Sequence, residues 1–313
     1  MSRHQIRKVL IDHPFLKTVL RPALAVRRYW LAKERSYKEI VHKRLQSILV
    51  EDPVIHIDQF EGSFGLDVRS DLFARQILDE NYESELIPYC RQFVDPARDV
   101  IDVGANVGFY SVFFAKLIQS QQRVLSVEPT VNTLRRLYRN LQHNGVRDKV
   151  VVYEGVVSNF QGTMQINVID GKEEYSTVGN LKHPSVKGMT YLTHEVKSAT
   201  LDALVAQHSL DPGFIKIDVE GAEERVIEGC KKTMEIHRPV ILSELSDSLL
   251  KANGASAQKV IRLIQQYDYV VVDPCFPACV PGAREQGDIL CIPKEREPKI
   301  CEVAIRERAL PSP

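Results

Sequence analysis

Four groups of residues combine types and spacings suited to chemistry. The string Asp102-Val-Gly104-Ala105-Asn106-Val-Gly108 follows an apolar run at 100–103 and opens a helical pattern. Glycines at such a junction let the backbone approach a ligand closely, and N–H groups at a helix start favour polar or anionic ligand groups. The spacing from Gly104 to Gly108 departs from G-x-G-x-x-G, so a bound pyrophosphate lacks its usual glycine pattern. Glu128 ends the next apolar run, twenty residues after Gly108. An acid at that strand end can accept hydrogen bonds from both ribose hydroxyls of a nucleoside. As a purely structural residue it would cap the helix that starts near Thr130. Together the two signals point to a nucleoside-bearing cofactor.

The third group is Ile215-Lys216-Ile217-Asp218-Val219-Glu220-Gly221. The strand period of two puts Lys216, Asp218 and Glu220 on one face while the strand lasts. A lysine in a central strand is costly to bury unpaired, so an internal Lys216–Asp218 interaction is expected. The fourth is Glu244, closing Pro239-Val-Ile-Leu-Ser-Glu. Asp102, Glu128, Asp218 and Glu244 then share one sheet edge, more acids than a structural sheet needs. Asp218, Glu220 or Glu244 can take a proton as a general base or hold a divalent ion that acidifies a hydroxyl. His183 and His194 are outside candidates, since a lone loop histidine is more often simply solvated.

These residues need elements to bring them together. From residue 99 apolar runs of four to six residues alternate with helical patterns, which signals a mostly parallel sheet. Strands are expected near 99–103, 123–128, 149–153, 213–218, 239–244, 268–273 and 287–292. Helices are expected near 107–118, 130–143, 200–206, 221–229 and 254–266. No long helical pattern separates the last two strands, so the seventh can return antiparallel. In open α/β sheets ligands bind outside the carboxyl ends of the strands, where all four acids fall. The polar segment 159–199 reads as an insertion whose ends, 163–169 and 193–198, can pair as a hairpin. Before the sheet, 54–57 and 66–68 read as short strands around a turn bearing Gly62 and Gly65, and 77–93 as helix.

With 313 residues, 44% apolar and 26% charged, the chain has ample material for a core, and no run of about 18 apolar residues suggests a spanning helix. Net charge is zero, yet residues 1–50 hold twelve Lys/Arg against three Asp/Glu, leaving −9 on the remainder. That balance argues against nucleic-acid binding by the globular part. Phe15, Val19, Ala23, Val26 and Trp30 form one helical stripe in the arm, with a kink expected at Pro22, and Tyr37, Val41, Leu45 and Ile48 form a second. Such an arm is expected to pack on the domain or on a partner with its charges solvated; peripheral contact of a basic amphipathic helix with an anionic membrane surface is the competing expectation. The six cysteines (Cys90, Cys230, Cys275, Cys279, Cys291, Cys301) include no Cys-x-x-Cys pair, which fits unpaired thiols in a reducing cytoplasm rather than a zinc site.

From about Tyr82 to Pro293 the sequence resembles the FkbM family of S-adenosylmethionine-dependent methyltransferases. The resemblance rests on Tyr82-Glu83, on Val100-Ile-Asp-Val-Gly-Ala-Asn-Val-Gly-Phe-Tyr-Ser, and on Val127-Glu-Pro with Asn140 and Asn144. It continues through Thr200-Leu-Asp202, the specific string Lys216-Ile-Asp-Val-Glu-Gly-Ala-Glu223, Pro239-Val-Ile-Leu-Ser-Glu244 and Asp288-Ile-Leu-Cys-Ile-Pro-Lys. It implies a Rossmann-like class I fold of order 3-2-1-4-5-7-6 with strand 7 antiparallel. It implies methyl transfer to oxygen, commonly a hydroxyl of a sugar, glycan or other natural product. By position, Asp102, Gly104, Ala105, Asn106 and Gly108 would form the cofactor loop, Glu128 would hold the ribose, and Tyr82 and Glu83 would close over the cofactor. The expected layout is a basic helical arm (1–50), lead-in strands and helix (51–98), the methyltransferase domain (99–295, insertion 159–199) and a C-terminal tail (296–313). The competing classes are nitrogen methylation, which usually brings an Asn/Asp-Pro-Pro-aromatic string where this chain has Asp218-Val-Glu-Gly, and a non-catalytic cofactor-binding scaffold. The oligomeric state and the acceptor are left open by these residues.

Overall fold

The mostly apolar runs become central strands because helices cover them on both faces. The computed structural model describes Lys33, Tyr37, residues 40–48, 52–73, 83–178, Val186, and residues 188–276 and 279–296. The chain forms two compact units, Met1–Glu51 and Asp52–Pro313. In the first, residues 40–48 are helical, with Val41 and Leu45 half-buried and Tyr37, Ile40 and Ile48 exposed. The stripe from Phe15 to Trp30, the kink at Pro22, Tyr82, His183, Cys301 and the tail from 297 lie outside the described residues.

The second unit opens with a hairpin of β1 (Val54–Ile57) and β2 (Gly62–Gly65). The return strand therefore starts four residues earlier than 66–68. A 3-10 turn at Asp58–Phe60, closed by Glu61 at φ 51°, completes the reversal, so the glycines lie in the strand rather than in the turn. Next come α1 (Ile87–Phe93), β3 (Asp99–Val103), α2 (Phe109–Leu117), β4 (Val124–Glu128), α3 (Val131–His143) and β5 (Val150–Glu154). Helix α1 is the described end of the helical pattern at 77–93; a turn with Glu83 at φ 53° precedes it.

β6 (Val156–Val157), β7 (Gly162–Val168) and β8 (Leu192–Ala199) make a separate three-stranded sheet in which β7 and β8 pair antiparallel. The rest is α4 (Leu201–His208), β9 (Pro212–Ile217), α5 (Glu223–Glu228), α6 (Lys231–Ile236), β10 (Val240–Ser246), α7 (Asp247–Ala252), α8 (Ala257–Gln265), β11 (Tyr269–Val272) and β12 (Gln286–Pro293). The short helices α6 and α7 were not foreshadowed by periodicity. Six residues hold fewer than two turns, too few to display a repeat. Thr200 and Ser256 cap α4 and α8 by accepting the N–H of Ala203 and Lys259, which fixes where those helices begin.

The main sheet runs β11-β12-β10-β9-β3-β4-β5. Strands β10, β9, β3, β4 and β5 are mutually parallel, and β12 is antiparallel to both β10 and β11. With β3 as strand 1 this is the order 3-2-1-4-5-7-6 of a Rossmann-like class I methyltransferase fold, a mixed seven-stranded α/β sheet. Strand order reverses beside β3, which opens a crevice at the carboxyl ends of β3, β4 and β9.

Packing on one face explains the composition of α2. Residues 109–115 are all buried, because the helix lies between the sheet and the lead-in hairpin. Phe60 stacks on Phe109 at 5.1 Å, Phe64 meets Phe109 edge-on at 4.8 Å, and Phe114 reaches Phe214 of β9 at 5.6 Å. Asn140 of α3, fully buried, accepts the Gly65 N–H at 2.8 Å and donates to the Val107 carbonyl at 2.8 Å. One amide thus ties β2 and the loop after β3 to a single helix.

Candidate functional site

Backbone geometry builds the site first. After β3 the chain turns through Gly104 at φ 85°, Asn106 at φ 49° and Gly108 at φ 95°. A Cβ on Gly104 would sit 1.8 Å from the Asp218 carbonyl oxygen, so a glycine is needed where the ends of β3 and β9 converge. At Gly108 a Cβ would meet Leu137 Cδ1 at 2.6 Å. The Gly104 and Ala105 N–H groups donate to the Val127 carbonyl, which fastens the loop to β4.

Glu128 stands beside this loop. It is buried, and its carboxylate accepts from Thr130 N at 2.9 Å, Thr130 Oγ1 at 2.6 Å and Asn106 N at 3.1 Å. Burial pushes its carboxyl up to about 7, with the three hydrogen bonds pulling the other way. Glu128 therefore does not cap α3 itself but holds Thr130, the residue before it, and faces the crevice.

The crevice is a cavity of about 390 Å³. Gly104, Asn106 and Glu128 line one part of it, with Val127 and Val157 as apolar wall. Asp218, Glu220, Glu244 and Asp288 line another, together with Glu83 and Gln286. The second sheet and the connection between its strands β7 and β8 supply Ile166, Glu173, Glu174, Tyr175 and Thr177. That segment is clamped at several points: Thr177 Oγ1 donates to the Glu220 carbonyl at 3.0 Å, Asn132 donates to Glu173 at 3.1 Å, and Lys172 and Tyr175 both reach the Asp71 carboxylate. Burial lifts Glu174 to about 7.

Of the residues singled out from sequence, Glu83, Gly104, Asn106, Glu128, Asp218, Glu220 and Glu244 meet on this wall. Asp102, Ala105 and Gly108 do not line it. Asp102 is buried under the loop, where Oδ2 accepts from Ser111 Oγ at 2.6 Å, and Ser111 in turn accepts from Ser126. Burial raises the Asp102 carboxyl, opposed by the charge of Lys216 in the adjacent register position. His194 is exposed on β8, away from the cavity.

Lys216 is buried with its ammonium 3.0 Å from Asp218 Oδ2 and 4.5 Å from the centroid of the Tyr110 ring. Burial alone would lower its affinity for a proton. The carboxylates of Asp218, Glu83 and Asp102 outweigh that and hold it above the ordinary lysine value. Lys216 thus balances part of an otherwise acidic edge. The next turn is equally constrained, with Glu220 at φ 50°, Gly221 at φ 94°, and buried Glu223 accepting the Gly221 N–H at 3.0 Å. Burial raises Glu223 to about 7.

Asp288 and Gln286 were given no site role from sequence. Both are near the start of β12, and because β12 runs antiparallel its beginning lies at the carboxyl edge of the parallel strands. The missing long helical pattern before the seventh strand was the available signal. Among the described residues no group of three or more His, Cys, Asp or Glu is arranged to hold a metal ion, and no helix is long and apolar enough to cross a membrane. Cys90, Cys230, Cys275, Cys279 and Cys291 are free thiols.

No curated protein matches the sequence significantly. Among solved structures, the methyltransferase FkbM from Methylobacillus flagellatus KT is 14% identical with a TM-score of 0.42. That match covers 63% of this chain, which spans 44% of the Methylobacillus protein. An O-methyltransferase from Bacillus cereus, in complex with SAH, is 13% identical over 82% of this chain and 97% of that one, with a TM-score of 0.38. Fibrillarin from Aeropyrum pernix, with natively bound S-adenosyl-L-methionine, is 12% identical over 72% and 75%, with a TM-score of 0.37. Likenesses this distant carry no argument about substrate. The family model is more specific: the methyltransferase FkbM domain matches residues 102–271, more than half of the chain, from the first strand-end acid through β11. This chain belongs to the FkbM methyltransferase family.

Proposed function

We propose that the protein transfers a methyl group from S-adenosylmethionine to a hydroxyl oxygen, with a sugar, glycan or other small natural product as acceptor. The observation that carries the reading is one cavity lined both by a glycine-turned strand end with Glu128 beside it and by a group of carboxylates at the edge formed by β9, β10 and β12. The first end fits a nucleoside cofactor. Gly104 leaves no side chain in the turn. Three hydrogen bonds hold the Glu128 carboxylate, which has room for about four, so one acceptor position remains for a ribose hydroxyl. Asn106 and the wall formed by Val127 and Val157 complete that part.

When bound, the cofactor supplies a methyl on a sulfonium: the acceptor oxygen gains the methyl, the carbon–sulfur electron pair stays on sulfur as a thioether, and the oxygen must lose its proton. The chain's own task is to align the acceptor and to receive that proton. Asp218, Glu220 and Glu244 face the cavity for this role. Asp218 is already engaged by the Lys216 ammonium. Burial, reinforced by the charges of Asp218 and Asp288, keeps Glu244 well above the ordinary carboxylate range, so its ionised form is basic enough to take a proton. The acidic lining also favours a neutral or cationic acceptor over an anionic one.

Calorimetric titration of the purified protein with S-adenosylmethionine and S-adenosylhomocysteine, with NAD as control, tests the reading. Micromolar binding of the first two and none of NAD is the expected result, followed by a hydroxyl-acceptor screen beginning with sugars. Folded protein that binds neither sulfur compound would overturn it.

A further inference from the structure

We propose that Gln286 and Asp288 are positioning residues of the active site, which act through Glu244 and make it the group that receives the acceptor's proton. The inference rests on the functional reading above and extends it to two side chains of the antiparallel last strand.

The geometry comes from the β10–β12 ladder. Asp288 is the register partner of Glu244, and Gln286 is the partner of Ser246. Directly opposed residues of an antiparallel pair hold their Cβ atoms roughly 4.5–5.5 Å apart. Like charges placed so are destabilising, and a sheet with only a structural role avoids them. Two residues earlier on the same face of β12, Gln286 donates its Nε2 to Glu244 Oε1 at 2.6 Å. Glu244 therefore stands between a like charge and an amide donor, both from one strand, and all three side chains line the cavity.

The two neighbours act in opposite directions. The Asp288 carboxylate disfavours ionised Glu244 and strengthens its hold on a proton; the Gln286 amide favours the ionised form. Gln286 also occupies Oε1, which leaves Oε2 to take the proton. The other charged groups facing Glu244 are Asp218 and Lys216 on β9 and Glu83 ahead of α1. Asp218, although paired with Lys216, opposes an ionised Glu244 as well; Asp288 is the like charge that the ladder sets directly across from it. The proton passes from the acceptor hydroxyl to Glu244 as the oxygen takes the methyl, and it leaves to solvent after the product departs.

The test needs no acceptor. A pH titration of the full-length protein by difference infrared spectroscopy follows protonated carboxyl groups, and the band lost in Glu244→Gln belongs to Glu244. In Asp288→Asn the midpoint of that band should fall by roughly one pH unit; in Gln286→Ala it should rise by about the same amount. Opposite shifts from neighbours on one strand are not produced by loosened packing, and either variant tests the inference if the other does not fold. Midpoints that stay put, or that move in the same direction, would overturn it. Calorimetry of the wild type with S-adenosylmethionine separates the two levels: no binding removes the functional reading, whereas binding with unshifted midpoints removes this inference alone.

Discussion

Glu128→Gln is the substitution whose effect follows most directly from the geometry. The isosteric amide keeps the side-chain volume and can still accept from Thr130 through its carbonyl oxygen. What it loses is the charge and the acceptor on Oε2, where Asn106 N donates at 3.1 Å and one further position remains. One charge-assisted hydrogen bond to a ribose hydroxyl contributes about 1.5–3 kcal/mol. At about 1.36 kcal/mol per tenfold, affinity for S-adenosylhomocysteine should fall about 10- to 150-fold. Calorimetry at about pH 8 is the assay, because the carboxyl, held near 7 by burial, is then ionised. Wild-type affinity should also rise between about pH 6 and 8 as Glu128 loses its proton, and the variant should lack that dependence. Glu128→Ala should bind still more weakly, since Asn106 N and Thr130 N lose their acceptor and the loop loosens. Unchanged affinity in Glu128→Gln would remove Glu128 from the cofactor. A loss beyond about a thousandfold in a folded variant would show that more than one bond had been made there and refute the count.

Gly104→Ala should cost roughly 3 kcal/mol or more in a urea melt and abolish S-adenosylmethionine binding, because its Cβ falls 1.8 Å from the Asp218 carbonyl at φ 85°; a stable, binding variant would contradict the tight Gly104 turn as the basis of the site. Asn140→Ala leaves the Gly65 N–H and the Val107 carbonyl unpaired in the core and should lower stability by about 2–4 kcal/mol, read by the same melt. The thermal midpoint of ligand-free protein should fall between about pH 5 and 8. Burial raises Glu128, Glu174 and Glu223 from the ordinary 4.5 to about 7 in the folded chain, so their contribution is fully present below about 4.5 and is lost as pH rises through about 7. Groups held low, such as Asp67, Asp211 and Glu295, lose their contribution only at more acidic pH, so a midpoint that climbs over this window would refute the assignment.

The sheet was legible because its signals are local and repeat. β3 and β4 are buried along their whole length, so each reads as a mostly apolar run, interrupted at Asp102 and Ser126. The hairpin of the insertion was legible at nearly its observed ends, since β7 and β8 pair from Gly162–Ser198 to Val168–Leu192. The lead-in hairpin was misread because Gly62 and Gly65 suggest a turn. At Gly62 the real requirement is space: a Cβ there would press on the Phe64 ring at 2.8 Å and on Asn144 Oδ1 at 2.9 Å. A glycine kept for a tertiary contact looks, in one dimension, like a glycine kept for a turn.

The site divides along the same line. Glu128, Asp218 and Glu244 were visible because each ends a parallel strand, and the direction of such a strand alone says which of its ends bears ligands. Asp288 begins its strand, so it is recognisable only once β12 is known to run the other way. Asp102 shows the converse: the right residue type at the right strand end, yet turned beneath the loop to Ser111 instead of lining the cavity. Its hydrogen bond from Ser111 and its register with Lys216 make it part of the support under the site. The acidic edge therefore has two tiers: Asp102 and Lys216 are buried, while Glu128, Asp218, Glu244 and Asp288 face the cavity. The lower tier places Lys216 where the surrounding acids keep it charged, and in the upper tier burial raises the carboxyls of Glu128, Glu244 and Asp288. A methyl transfer that generates one proton per turnover needs the second, and the first explains why a lysine is buried in the middle of the sheet.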